Sequence, residues 1–94
     1  MVVPKKEEAK NITFICDLKR DPRQVFLAGD FNQWQLQTNR MTKSKDGSYR
    51  TIIKLPPGEY QYKFVVDGTW FNDPQAKSQV MNRYGTLNSV IRVV

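Results

Sequence analysis

The sequence contains no histidine and a single cysteine, Cys16. Histidine is the commonest general base and metal ligand, so its absence excludes a Ser-His-Asp arrangement and the usual metal sites. One cysteine cannot build a disulfide framework, which favours an intracellular protein. From these absences we expect no cofactor, no bound metal and a cytoplasmic location.

Long apolar runs and glycine-rich phosphate loops are also lacking. The first residues, MVVPKKEEAK, contain no apolar stretch of the signal-peptide kind, and no later segment is apolar enough to span a bilayer. Paired carboxylates could hydrolyse a glycoside, but Asp46, Asp67 and Asp73 stand where turns are expected, and turn formation is their simpler role. We therefore expect no catalytic residues, no enzyme and no membrane partner.

The charge balance is basic, with a formal net charge of +6 over 94 residues. A basic chain can bind nucleic acid. Here the lysines and arginines are scattered and interrupted by acids, which is typical of a solvated surface. A length of 94 residues fits one domain with a modest core.

Apolar and polar residues alternate along most of the chain, as half-buried antiparallel strands require. The clearest stretch is EYQYKFVVD, which places Phe64 inward and Lys63 outward; the others are NITFICDL, VFLAGDF, SYRTIIKL and NSVIRVV. Hairpin signals stand at Asp46-Gly47 and Asp67-Gly68, and no segment predicts a helix. The pattern predicts an all-β protein, an antiparallel β-sandwich.

Two segments fall outside this alternation. Residues 1–9 are predicted to form a flexible lead-in, which leaves residues 10–94 as a single β-sandwich module. Residues 72–87 are long and polar, apart from Val80 and Met81, and are predicted to form an ordered loop.

Trp34 and Trp70 both follow the expected ends of strands, beside polar amides. A single tryptophan there would most simply cap the core. Two of them favour a binding surface, because an exposed ring can stack on the apolar face of a glucose unit while Lys63 and Asn88 bind its hydroxyls. Nucleobases stack on such rings equally well, so the residues alone leave both ligands open.

Three blocks, VFLAGDFNQWQ, LPPGEYQYKFVVDGTWFNDP and YGTLNSVIRV, resemble the glycogen-binding carbohydrate-binding modules of AMP-activated protein kinase β subunits. The same module type stands at the N-terminal side of branching and debranching enzymes, including isoamylase. The resemblance covers residues 10–94, with the blocks in the family order and at similar spacing. It implies an immunoglobulin-like β-sandwich that binds α-1,4-linked glucans without catalysing a reaction.

The resemblance also assigns roles by position. Trp34 and Trp70 match the stacking tryptophans, and three further residues match the polar ligands of the sugar: Lys63, Thr86 and Asn88. Tyr84 stands where the kinase modules carry a leucine that inserts against the sugar, so it would pack on a glucose ring instead. Phe71 stands where they carry a polar residue, and would either widen the platform or be buried.

Three functions follow for testing. The first is binding of an α-glucan polysaccharide or oligosaccharide such as glycogen, starch or a maltooligosaccharide. The alternative is a protein-interaction or scaffold domain of the same fold that docks a kinase complex or the catalytic domain of a glucan-metabolising enzyme. The third, a single-strand nucleic-acid binder, is not expected; it would show steep salt dependence, whereas glucan binding would not.

Overall fold

The computed structural model describes residues 9–94; the predicted lead-in, residues 1–9, lies outside them except for Ala9. Within this range the strands are β1 (Lys10–Cys16), β2 (Val25–Gly29), β3 (Asn39–Arg40), β4 (Thr42–Lys43), β5 (Tyr49–Leu55), β6 (Gly58–Val66), β7 (Thr69–Phe71), β8 (Ser78–Met81) and β9 (Leu87–Val93). A short 3-10 turn, Asp30–Asn32, follows β2. Within the described range, no helix is long and apolar enough to cross a lipid bilayer.

The strands form two antiparallel sheets. The smaller sheet has the order β1-β5-β4, and the larger has the order β3-β2-β6-β9-β8, with β7 also paired to β6. The sheets enclose one core, in which Leu27 of β2 and Phe64 of β6 are fully buried and directly opposite each other. The prediction of an all-β antiparallel sandwich is confirmed.

Cys16 ends β1 inside this core and is almost fully buried. Burial, reinforced by the carboxylates of Asp73 and Asp17, raises the pKa of its thiol to about 12. The thiol is therefore protonated at neutral pH and acts as a small apolar core side chain.

Both predicted hairpins are confirmed. Asp46-Gly47 joins β4 to β5, and Asp67-Gly68 joins β6 to β7 with both residues in the left-handed region, at φ 48° and 82°. Two positive φ values are what a tight two-residue turn between antiparallel strands requires. The Asp67 carboxylate also accepts hydrogen bonds from the backbone N–H groups of Arg23 and Gln24, so this turn is anchored to the start of β2.

The prediction of a continuous loop over residues 72–87 is wrong in part, because β8 lies within it. All four residues of β8 are exposed, so no buried face imposes the alternation by which strands are recognised. Only pairing with β9 along one edge places this strand in the sheet.

One exchange of partners in the larger sheet shapes its outer face. Along one edge, β6 pairs with β2; along the other, it pairs with β9 through Gly58–Tyr62 and then with β7 through Phe64–Val66. Lys63 stands at the point where β9 gives way to β7. Side chains from β6, β7 and β9 therefore meet around it.

Candidate functional site

An open groove of about 910 Å³ crosses the outer face of the larger sheet. It brings together all six residues that the sequence singled out, although they come from separate parts of the chain. They are Trp34, Lys63, Trp70, Tyr84, Thr86 and Asn88.

The two tryptophans form one wall of the groove. Trp70 lies on β7 directly opposite Val65 of β6, and 43% of its surface is exposed. Trp34 follows the 3-10 turn, where both it and Gln33 adopt left-handed backbone angles, at φ 60° and 56°. The ring centroids are 6.3 Å apart and the ring planes differ by 47°. The two indoles therefore present a bent apolar surface rather than a flat one.

Phe71 takes no part in this wall. It follows Trp70 on the same strand, so its side chain points to the opposite face, where it pairs with Phe64 and packs against the core. The guanidinium of Arg20 lies over its ring, 5.2 Å from the centroid. Of the two alternatives for Phe71, the structure supports burial.

Lys63 lies in the floor of the groove. The sequence placed it outward on β6, and it does leave the core, yet only 8% of its surface is exposed. Its ammonium donates one hydrogen bond, to Thr86 Oγ1 at 3.2 Å. Among residues 9–94, no carboxylate lies within ion-pair distance of it. Burial without a counter-charge lowers the pKa of Lys63 and leaves N–H donors for a ligand.

The loop between β8 and β9 forms the opposite wall and is organised by Asn82. Its side-chain oxygen accepts hydrogen bonds from the backbone N–H groups of Tyr84 (2.9 Å) and Thr86 (3.2 Å). Its amide nitrogen donates to Thr86 Oγ1 (2.7 Å) and Asn88 Oδ1 (2.9 Å). Asn88 in turn donates to Gln61 Oε1 on β6 at 3.0 Å. The side chains of Asn82, Thr86, Asn88 and Gln61 are thus held in one network, to which Lys63 donates at Thr86 Oγ1.

Tyr84 stands at the rim of this loop with 80% of its surface exposed. The guanidinium of Arg83 lies 5.8 Å from its ring centroid. The backbone N–H of Tyr84 donates a hydrogen bond to Asn82, which fixes the main chain from which the ring projects. A ring so exposed can pack on a ligand without first being uncovered.

Sequence reasoning missed five residues that also line the groove: Asp30, Gln61, Met81, Asn82 and Arg83. One signal could have identified Asn82, because an asparagine three positions before a glycine is typical of a turn that its own side chain stabilises. Asp30 carried the weaker signal of an acid directly after an apolar strand. Met81 ends β8 and Arg83 lies within the turn that follows, and no sequence pattern distinguishes either residue.

The groove combines an angled aromatic surface with amide, hydroxyl and ammonium groups. Within the described residues, no cluster of histidine, cysteine and carboxylate side chains could hold a metal ion. This chemistry suits a ligand with apolar faces and hydroxyl-bearing edges: the rings accept the faces, and the polar groups donate to and accept from the edges.

Comparison with known proteins agrees with this chemistry. Residues 9–94 match the sequence family described as the glycogen recognition site of AMP-activated protein kinase. The 5'-AMP-activated protein kinase subunit beta-2 of Homo sapiens is 39% identical over 71 residues, which cover 76% of this chain and 25% of that protein. Subunit beta-1 of Sus scrofa is 41% identical over a match covering 76% of this chain and 55% of that protein.

Subunit beta-1 of Bos taurus is 42% identical over 71 residues, again 76% of this chain and 25% of that protein. The match thus spans about a quarter of the length of the human and bovine relatives. The chain belongs to the family of glycogen recognition sites of AMP-activated protein kinase.

Proposed function

We propose that this chain is a non-catalytic module that binds α-1,4-linked glucans such as glycogen, starch and maltooligosaccharides. Trp34 and Trp70 stack on the faces of glucose units, and Tyr84 packs on a further unit at the rim. Three polar groups, on Lys63, Thr86 and Asn88, bind the hydroxyls.

One observation carries this proposal: Lys63, a lysine with only 8% of its surface exposed and no carboxylate of residues 9–94 within ion-pair distance, lies in the same groove as two angled indoles. A buried charge is costly unless it is paired or hydrogen-bonded. Sugar hydroxyls would accept from the Lys63 ammonium, and their uncharged oxygens need no acidic residue nearby. A structural role in the core would not leave the lysine in an open groove.

The angle between the indoles supports the choice of linkage. α-1,4-linked glucose units curve along the chain, so successive sugar faces turn relative to each other. Two rings whose planes differ by 47° can follow that turn, whereas a straight β-linked chain would match a flat platform.

Tryptophan fluorescence tests the proposal, because both indoles lie in the groove. We expect a saturable change on titration with maltoheptaose, no comparable change with cellohexaose, and the same midpoint at low and high salt. An affinity that falls steeply with salt would indicate contacts to phosphates and would favour nucleic acid instead. Equal binding of the two sugars would contradict the proposed linkage preference, and no response to millimolar sugar would favour the scaffold alternative.

We also propose a partner and a cellular location for this chain. The relatives are named as subunits of AMP-activated protein kinase. We propose that this chain also associates with a kinase complex and brings it to a glucan, in the cytoplasm. Co-purification of the full-length protein with a kinase subunit from glycogen-rich extract, and loss of the glycogen but not the kinase on adding maltoheptaose, would separate the two partners.

A further inference from the structure

Asp30 uses both oxygens of one carboxylate to join two parts of the groove. Oδ1 accepts a hydrogen bond from the indole Nε1–H of Trp34 at 3.0 Å. Oδ2 accepts one from the backbone N–H of Gln61 at 2.8 Å. Gln61 belongs to β6, the strand that carries Lys63. Asp30 therefore ties the Trp34 ring to the floor of the groove.

The ring of Trp34 needs such a tie. Its backbone, like that of Gln33, adopts a left-handed conformation that residues other than glycine rarely take. A backbone hydrogen bond from Trp34 N to Gly29 O, 2.9 Å long, holds the main chain. That bond leaves the side chain free to rotate. Asp30 supplies the side-chain hydrogen bond that fixes the direction of the indole.

We propose that Asp30 is a positioning residue, which fixes the indole plane of Trp34 against that of Trp70 and so sets the affinity of the groove for sugar rings. The part concerning sugars rests on the proposed function, whereas the orientation of the ring is a property of the ligand-free protein. Asp30 acts through Trp34 and Gln61, and both of its oxygens are already engaged by the protein.

The two donors make the carboxylate specific. An asparagine at position 30 has the same shape, but only one of its two terminal atoms is an acceptor. Its amide N–H₂ would face either the Trp34 indole N–H or the Gln61 backbone N–H, and two donors cannot bond to each other. Asp30→Asn thus releases one of the two groups without removing bulk.

Two-dimensional ¹H–¹⁵N spectra of the ligand-free protein test the proposal, because each tryptophan indole gives its own N–H signal. Trp34→Phe assigns the two signals. We expect Asp30→Asn to shift or broaden the Trp34 signal, and to raise the maltoheptaose dissociation constant about tenfold, as expected for a lost charge-assisted hydrogen bond. Asp21→Asn, which removes an exposed carboxylate paired with Lys43, is the matched control and should change neither.

An unchanged Trp34 signal in Asp30→Asn would overturn the proposal, as would weaker sugar binding without movement of that signal. Asp30→Ala, which leaves both donors to water, is the second variant if the asparagine variant does not give a dispersed spectrum, and is judged in the same way. If the unaltered protein does not bind maltoheptaose, the proposed function fails, and the ligand-free spectra still decide whether Asp30 holds the ring.

Discussion

The outer faces of the two sheets differ in which side chains they expose to water, and the difference is the reverse of what polarity predicts. Ile52, on the outer face of the smaller sheet, is 62% exposed, whereas Lys63, on the outer face of the larger sheet, is 8% exposed. The apolar side chain thus lies in water and the charged one is covered. Both residues occupy outward positions of regular antiparallel strands, at Thr13↔Ile52 and next to Leu27↔Phe64. Strand geometry alone therefore does not produce the difference.

Among residues 9–94, the difference arises because additional chain covers the outer face of the larger sheet. Trp34, Trp70 and the loop after β8 rise around the outer face of the larger sheet and enclose a groove. The outer face of the smaller sheet carries alternating side chains such as Arg50, Ile52 and Lys54, which are exposed. A buried lysine with donors to spare is typical of a binding surface, whereas an isolated exposed isoleucine is ordinary. In this protein, burial of a polar side chain thus indicates the candidate site better than exposure of an apolar one.

The largest effect on sugar binding is expected from replacing Trp70, which faces the groove, and not from replacing its neighbour Phe71. Trp70→Ala should weaken maltoheptaose binding about thirtyfold, since a central aromatic contact is worth about 2 kcal/mol. Its thermal unfolding should change little, because the ring is half exposed. Fluorescence or calorimetric titration gives the first quantity and thermal unfolding the second.

Phe71→Ala is the matched control and should do the reverse. Its ring packs on the core, so we expect a loss of about 2 kcal/mol in unfolding free energy with sugar affinity retained. If both alanine variants weakened binding equally, the assignment of opposite faces to these two residues would be wrong.

The next largest effect is expected at Lys63, where one substitution should weaken sugar binding and stabilise the fold. Lys63→Met keeps an unbranched side chain, shorter by one heavy atom, and removes the positive charge. We expect about tenfold weaker maltoheptaose binding and an unfolding free energy higher by about 1 kcal/mol. Lys54→Met, at an exposed outward position of β5, should alter neither. Denaturant unfolding that shows Lys63→Met to be less stable than the unaltered protein would contradict this account of the groove.

A smaller effect is expected in alkaline solution. Burial lowers the pKa of Lys63 below its ordinary 10.5, so between the lowered value and 10.5 the unfolded chain binds more protons than the folded one. In this pH range, Lys63 therefore makes the unfolding free energy rise with pH. Below the lowered pKa the charge of Lys63 destabilises the fold in full, and this destabilisation is lost as the pH rises to 10.5. The stability advantage of Lys63→Met should therefore shrink as pH approaches 10.5. An advantage that stays constant with pH would exclude this cause.

The smallest effect is expected on the outer face of the smaller sheet. Ile52→Thr keeps a β-branched side chain at an exposed strand position, so unfolding free energy should stay within about 0.5 kcal/mol of its original value. Maltoheptaose affinity should be unaltered. A clear loss of sugar affinity in this variant would place a second sugar contact on the smaller sheet.

Much of the fold could be predicted because most strands have one buried face. Alternation identified the stretches that became β1, β2, β5, β6 and β9, and the Asp-Gly pairs identified two hairpins. β8 escaped prediction because all four of its residues are exposed. Its pairing with β9, the next strand along the chain, therefore leaves no alternation of apolar and polar residues in its sequence. The boundary between a lead-in and a module at residue 10 stays a prediction.

The site was predictable only as far as its chemistry is visible in single residues. Trp34, Trp70 and Lys63 were singled out as types that bind sugars, and their role in binding stays a prediction. Asp30 was missed because one of the two groups that it joins, the backbone N–H of Gln61, is distant in sequence and comes near it only in the folded chain. Asn82 was missed although its partners are near in sequence, because its turn signal was not recognised. The burial of Lys63 was also invisible, because its cover comes from distant parts of the chain.

The exchange of partners along β6 has a consequence for how the molecule folds. Trp70 is brought beside β6 by a two-residue turn, a contact that forms in about 1–10 μs in isolated hairpins. Trp34 and Asn88 reach the same place only when β2 and β9 pair with β6, which closes long stretches of chain and is slower. We therefore expect the part of the groove around Trp70 to form before the parts that carry Trp34 and Asn88. Tryptophan fluorescence, which responds when the two indoles come together, should therefore follow a late step of refolding.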